Sequence, residues 1–149
     1  MADRYFNVHD AEELLPIIGS YLERAQEQKS KLDGLNAELA QAAARIMVLG
    51  GSIPAYGELN TKKSDRDEIA SEIQDAISKI LDTGCVLKDL DEGLIDFPCL
   101  MHGEEAYLCW KLGEERIGFW HGLQEGFAGR KPLDDDAPGD APPDRRKIQ

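Results

Sequence analysis

Apolar residues recur with helical spacing over the first third of the chain. One row repeats every seven residues (Ala11, Ile18, Ala25, Leu32, Leu39 and Ile46), and a companion row contains Leu15, Leu22 and Ala43. This heptad-like pattern predicts a long amphipathic helix that packs against a partner helix. Lys29 and Asn36 interrupt the companion row, which favours a fixed register over a uniform apolar seam.

The first helix has recognisable ends. Asn7 is a good N-cap, and Asp10 stands three residues later as a variant of the capping-box acid. Pro16 is expected to bend the helix or leave its start irregular. The segment from Gly50 to Pro54 provides glycine freedom followed by a proline, so the helix is predicted to end there.

A second helix is predicted after this break. Asn60, Thr61 or Ser64 can cap it, its apolar stripe runs from Ile69 to Leu81, and Gly84 ends it. Two long amphipathic helices joined by one break are typical of an antiparallel hairpin.

The pattern changes to short extended runs after Gly84. Runs at residues 85–88, 94–97 and 105–111 are separated by turn-forming residues, including the pair His102-Gly103. The third run alternates: Ala106, Leu108 and Trp110 fall on one face, with Tyr107, Cys109 and Lys111 on the other.

Residues 116–121 are ambiguous. As a strand, they would place Ile117, Phe119 and His121 on one face; the alternative is a short helix that starts near Glu114. The strand is preferred.

These elements predict an α+β fold with three parts. Residues 1–83 form a long antiparallel helical hairpin, and residues 84–133 form a small antiparallel sheet of three or four strands packed on it. The aromatic residues Trp110, Phe119, Trp120 and Phe127 are expected to anchor the sheet, mostly as core. The acidic tail, residues 134–149, has too little apolar surface to fold and is predicted to be disordered.

Composition excludes several classes of protein. The formal net charge of -12 argues against sequence-independent binding to nucleic acid or to an anionic membrane. Neither a secretion signal nor an apolar run of about 20 residues is visible, so a cytoplasmic location is expected. The three cysteines form no CxxC motif, which favours reduced, packed thiols over disulfides.

The best candidate chemistry lies in the carboxyl-terminal half. Cys109, Glu114 and His121 offer ligand types that suit zinc or another divalent metal, and Asp96 can supply a fourth. Their spacing is irregular, so core packing of Cys109 and a structural ion pair of Asp96 are the simpler alternatives. A cysteine nucleophile with His121 or His102 as its base is a further alternative.

Two weaker candidates accompany this set. Asp89, Asp91 and Glu92 precede Gly93 and suggest either a cation-binding turn or an ordinary acidic turn. Arg130 follows a glycine-punctuated loop and is a candidate anion contact, with an intramolecular ion pair as the alternative.

Several stretches together resemble a known family. They are Gly84 to Pro98, Tyr107 to Glu114, the pair Trp120-His121 and Gly126 to Arg130, together with the helix start from Phe6 to Pro16. On these residues the chain resembles the bacterial family called domain of unknown function 2203, from about Tyr5 to Leu133. The resemblance implies no activity, substrate or ligand.

Two functions remain compatible with the sequence. The preferred one is a non-enzymatic interaction or scaffold protein, a homodimer or larger assembly formed through its helices. The alternative is a metal- or small-molecule-binding protein, with or without enzymatic activity, whose site lies within residues 88–130. Convergence of Asp96, Cys109, Glu114 and His121 would favour the alternative.

Overall fold

The computed structural model describes residues 4–48, 50 and 56–133. Helix α1 spans Val8–Val48 and helix α2 spans Tyr56–Asp82. Lys62 of α2 pairs with Glu38 of α1, whereas Glu72 pairs with Gln28, so the two helices run antiparallel as predicted. In the described part of the chain, neither helix is long and apolar enough to cross a membrane.

The start of α1 agrees with the prediction, whereas the start of α2 does not. The Asn7 side chain accepts a hydrogen bond of 2.7 Å from the backbone N–H of Asp10, which confirms the predicted cap. Helix α1 continues through Pro16. Helix α2 begins at Tyr56, earlier than predicted. Thr61 therefore lies inside the helix, where its hydroxyl donates back to the carbonyl of Gly57 instead of capping the helix. Most of the break between the helices, residues 51–55, lies outside the described residues, as does the tail from residue 134.

Five strands follow, each antiparallel to the next in chain order. They are β1 (Val86–Asp89), β2 (Leu94–Met101), β3 (Glu104–Lys111), β4 (Phe119–Gly122) and β5 (Lys131–Pro132). The strand count exceeds the predicted three or four because β5 has only two residues, too few to show alternation. A 3₁₀ turn, Phe127–Gly129, lies between β4 and β5.

The predicted hairpin turn joins β2 to β3. His102 and Gly103 have φ angles of 54° and 83°, which is the geometry of a two-residue turn whose twist matches that of the flanking strands.

One face of the sheet packs on the helices. Its side chains are fully or almost fully buried: Ile95, Phe97, Cys99, Met101, Ala106, Leu108 and Trp110. They contact the first half of α1 and the end of α2, at Ala11, Leu15, Ile18, Leu22 and Ile80. Phe6 closes this core: its N–H donates to the carbonyl of Pro98 (2.7 Å), and its ring meets Phe97 edge-on.

Residues 116–121 adopt neither predicted form completely. Strand β4 begins only at Phe119, and Ile117 lies before it, in the core that faces the helices. Its N–H donates to the Glu12 carboxylate of α1 at 3.0 Å. The prediction that Ile117, Phe119 and His121 share one face is therefore wrong for Ile117. The contact with Glu12 of α1 keeps Ile117 on the side of the sheet that faces the helices.

The turn before β2 provides a stability prediction. Gly93 has a φ of 71°, and an added Cβ would lie 2.7 Å from the Cβ of Leu112. Gly103 also has a positive φ, yet nothing lies within 4 Å of an added Cβ there. We expect Gly93→Ala to cost about 3 kcal/mol, combining backbone strain with the clash, and Gly103→Ala about 1 kcal/mol from strain alone. Urea unfolding of both variants measures the difference; equal losses would contradict the packing described here.

Candidate metal centre

The face of the sheet opposite the helices carries three buried groups with ligand chemistry. In β2, alternation turns Ile95 and Phe97 towards the helices and Asp96 the other way. Asp96 is paired with Cys109 of β3, and His121 of β4 is paired with Tyr107 of β3. All three side chains therefore lie on the outer face of the sheet.

These side chains meet at one point. The Nε2 atom of His121 lies 3.1 Å from each carboxylate oxygen of Asp96, and the Sγ atom of Cys109 is within 4.8 Å of both ligand atoms. The exposed fractions are 2% for Asp96 and 1% each for Cys109 and His121. Three of the four residues proposed from the sequence are thus brought together.

The orientation of His121 is fixed by its own strand end. Its Nδ1 atom lies 2.9 Å from the carbonyl oxygen of Gly122. A carbonyl only accepts, so Nδ1 carries a hydrogen and Nε2 is the atom directed at Asp96. One proton must then lie between Nε2 and the carboxylate, because two lone pairs would otherwise face each other in a buried site.

Burial favours the protonated forms of Asp96 and Cys109. It raises the pKa of Asp96, and the nearby His121 and Lys88 only partly offset this rise. Burial and the neighbouring Asp96 raise the pKa of the Cys109 thiol to about 11. At neutral pH the thiol is protonated, which disfavours Cys109 as a nucleophile. His102, the other base proposed for it, is exposed in the β2–β3 turn.

Glu114, the fourth proposed ligand, is held by other groups. Its carboxylate accepts two hydrogen bonds from Arg130, at 2.8 and 3.1 Å, and one from the backbone N–H of Lys111. The Arg130 guanidinium also stacks on Phe119 and Phe127. The structure places Arg130 in the intramolecular ion pair that was the alternative to an anion contact.

The acids of the β1–β2 turn do not converge. Asp91 pairs with Lys29 of α1, and Glu92 pairs with Lys111. The Asp89 carboxylate accepts from the backbone N–H of Glu92, as acids in ordinary turns do.

A cavity of about 200 Å³ opens onto the buried cluster. Asp96 and Cys109 form part of its wall, and the remaining lining residues are Lys88, Leu94, Gly126 and Phe127. The segment after β4 therefore covers the site without filling it. The sequence does not single out Lys88 as a site residue, because a cavity depends on strands that are far apart in the chain.

The model of one protein family, described as Uncharacterized conserved protein (DUF2203), matches residues 4–133. The chain belongs to this family. The match confirms the resemblance noted in the sequence and includes every residue of the buried cluster. No curated protein and no solved structure matches the chain.

This DUF2203 protein has a second group of ligand types, His9, Asp10 and Glu13 of α1. His9 and Glu13 are exposed and pair with each other one helical turn apart. Exposed side chains on a single helix turn are ordinary surface groups, so the buried cluster is the candidate centre.

The coupling between Asp96 and His121 can be measured as stability. We expect Asp96→Leu to lower the free energy of unfolding of this DUF2203 protein by about 3 kcal/mol, because His121 is left buried without its partner. The double variant Asp96→Leu/His121→Phe should lose at least about 1 kcal/mol less than the sum of the two single variants. Denaturant unfolding of all four proteins gives this coupling, and simple additivity would show that the two side chains are independent.

Proposed function

We propose that this protein binds a divalent transition metal ion of the zinc type through Asp96, Cys109 and His121. The observation that supports the proposal is the convergence of three buried ligand atoms within 4.8 Å of one another. It favours the metal-site hypothesis over the scaffold hypothesis that the sequence alone preferred.

The ligand types select the class of ion. A thiolate, an imidazole nitrogen and a carboxylate oxygen together suit zinc and its neighbours among the transition metals. Magnesium and calcium prefer sites built from oxygen atoms alone, so a cysteine and a histidine argue against them.

The surroundings of His121 also fit a metal ligand. Histidines that bind metals through one ring nitrogen usually donate the hydrogen of the other to a carbonyl or carboxylate. In this protein, Nδ1 donates to Gly122 and leaves Nε2 directed at the cluster. The ring is stacked at a tilt on Tyr107, with 5.5 Å between centroids, which further limits its rotation.

Charge balance makes the exchange of protons for a metal ion favourable. The ion would replace the thiol proton of Cys109 and the proton between His121 and Asp96. Two positive charges leave and two arrive, so the buried site keeps its total charge. A dipositive ion would therefore not leave uncompensated charge in the interior.

Metal content is the direct test. We expect about one zinc ion per chain in untagged protein, measured by elemental analysis. Cys109→Ala should weaken zinc binding by at least about 100-fold, because it removes one of the three proposed protein ligands. The matched control is Cys99→Ala, which removes a buried thiol on the helix-facing side of the same sheet and should leave zinc affinity unchanged. Calorimetry in buffers of different ionisation enthalpy should show about two protons released per zinc ion at pH 7, with affinity rising as pH increases.

Zinc that is absent, or retained equally by both cysteine variants, would contradict the proposal. Release of no protons would contradict the proposed ligand set, because the Cys109 thiol is protonated at pH 7 in the metal-free protein.

The surface of α1 supports a second proposal. We propose that two copies of the protein pair along the second half of α1, from Gly34 to Val48. The exposed residues Gly34, Ala37, Gln41, Ala44 and Val48 follow alternate spacings of three and four along one side of the helix. None of them is charged, in a protein whose formal net charge is -12. Met47 and Val48 are more than 80% exposed. Uncharged residues at this spacing, of which Gly34, Ala37 and Ala44 are small, allow the same face of a second copy to approach closely.

Native mass spectrometry tests this pairing. We expect a homodimer. The double variant Ala37→Glu/Ala44→Glu should convert it to a monomer, because it places like charges on the paired faces of the two α1 helices. Ala43→Glu, which adds the same charge at an exposed position on a different side of α1, should leave the dimer intact. A monomeric wild-type protein would contradict the proposal.

A further inference from the structure

In the part of the chain that the structure describes, the proposed metal centre has fewer protein ligands than a closed site. Structural zinc sites have four protein ligands, whereas sites that act on other molecules have three and leave one position open. Among the described residues, the buried cluster offers three ligand atoms, and Glu114 is held by Arg130. The 200 Å³ cavity begins at Asp96 and Cys109, so the open position would face that space.

Lys88 is the positively charged residue of the cavity wall. It lies on β1, exposed, with its Nζ atom 5.5 Å from the centroid of the Tyr107 ring. Within the described part of the chain it forms no ion pair. Its ammonium group is thus available to a molecule that enters the cavity and reaches the metal.

The local charges set the charge of that molecule. A divalent ion bound by one thiolate, one carboxylate and one neutral imidazole has no net charge, and Lys88 adds one positive charge. Arg130 adds none, because Glu114 neutralises it. A monoanion balances this site, whereas a dianion would leave negative charge in a protein that is already strongly acidic.

The remaining walls favour an organic anion over an inorganic one. Leu94 and Phe127 form apolar sides of the cavity. Lys88 also lines a larger groove of about 540 Å³, whose other walls include the apolar residues Leu81, Pro98 and Leu123, the Tyr107 ring and the Glu105 carboxylate, which accepts a hydrogen bond from Tyr5. An anion held at Lys88 would therefore have apolar surface nearby for the rest of its structure.

From this arrangement we propose that the open position of the metal binds a small organic carboxylate, with Lys88 as the second contact of the carboxylate group. The inference rests on the metal site proposed above and names the class of ligand for that site.

Cobalt(II) makes the open position visible, because its absorption bands change when a ligand is added or exchanged. We expect butyrate to shift the visible spectrum of the cobalt-loaded protein in a saturable way, with a lower Kd than acetate, phosphate or chloride. Butyrate is expected to bind more tightly than acetate because its longer alkyl chain contacts the apolar walls.

Lys88→Gln should raise the Kd for butyrate about tenfold without weakening cobalt binding, because it removes a charged hydrogen-bond donor to the anion but no metal ligand. The control Lys29→Gln makes the same change of charge beside Asp91, away from the cavity, and should bind butyrate as the wild-type protein does.

Three outcomes would overturn the inference while leaving the metal site intact: cobalt bound without any response to carboxylates, tighter binding of phosphate than of butyrate, or equal affinity in Lys88→Gln and wild type. Failure to bind cobalt or zinc would overturn both this inference and the proposed function.

Discussion

The hydrogen bond between His121 and Asp96 joins two strands that are not neighbours. Asp96 lies on β2 and His121 on β4, so the contact passes over β3 beside Cys109, which is paired in register with Asp96. This geometry requires the register of all three strands. A slip of one residue in β2 would turn Asp96 into the helical core and expose Ile95 and Phe97 on the other face. Hydrophobic burial and the polar cluster therefore specify the same pairing.

Both faces of β2 are covered, by different parts of the chain. The helices and Phe6 cover one face, and the segment between β4 and β5 lies over the other, with Phe127 at the cavity. Because the outer face is also covered, the polar cluster on it is shielded from water. Carboxylate, imidazole and thiol groups in such a place are costly unless each has a partner. In this protein they are partners of one another, and Gly122 satisfies the remaining ring nitrogen of His121.

The sequence predicted what is encoded locally. The Asn7 cap, the alternation in β3 and the His102-Gly103 turn depend on residues close in the chain, and each is present. Other features depend on contacts between distant segments. Ile117 faces the core because Glu12 of α1 binds its N–H, and β5 exists as two residues added to β4. Asp96, Cys109, Glu114 and His121 were recognised as a ligand set from residue type. Only the structure shows that Asp96, Cys109 and His121 converge and that Glu114 pairs with Arg130 instead. Both facts depend on strand register and tertiary contacts, which the spacing of residues in the sequence does not encode.

The ligand set of the bound ion is the most direct test of the whole account. X-ray absorption at the zinc edge of the loaded wild-type protein reports the atoms that surround the metal. We expect one sulfur at about 2.3 Å and nitrogen or oxygen neighbours at about 2.0–2.2 Å. A first shell without sulfur would place the metal elsewhere on this acidic protein. It would contradict the assignment of Asp96, Cys109 and His121 as its site.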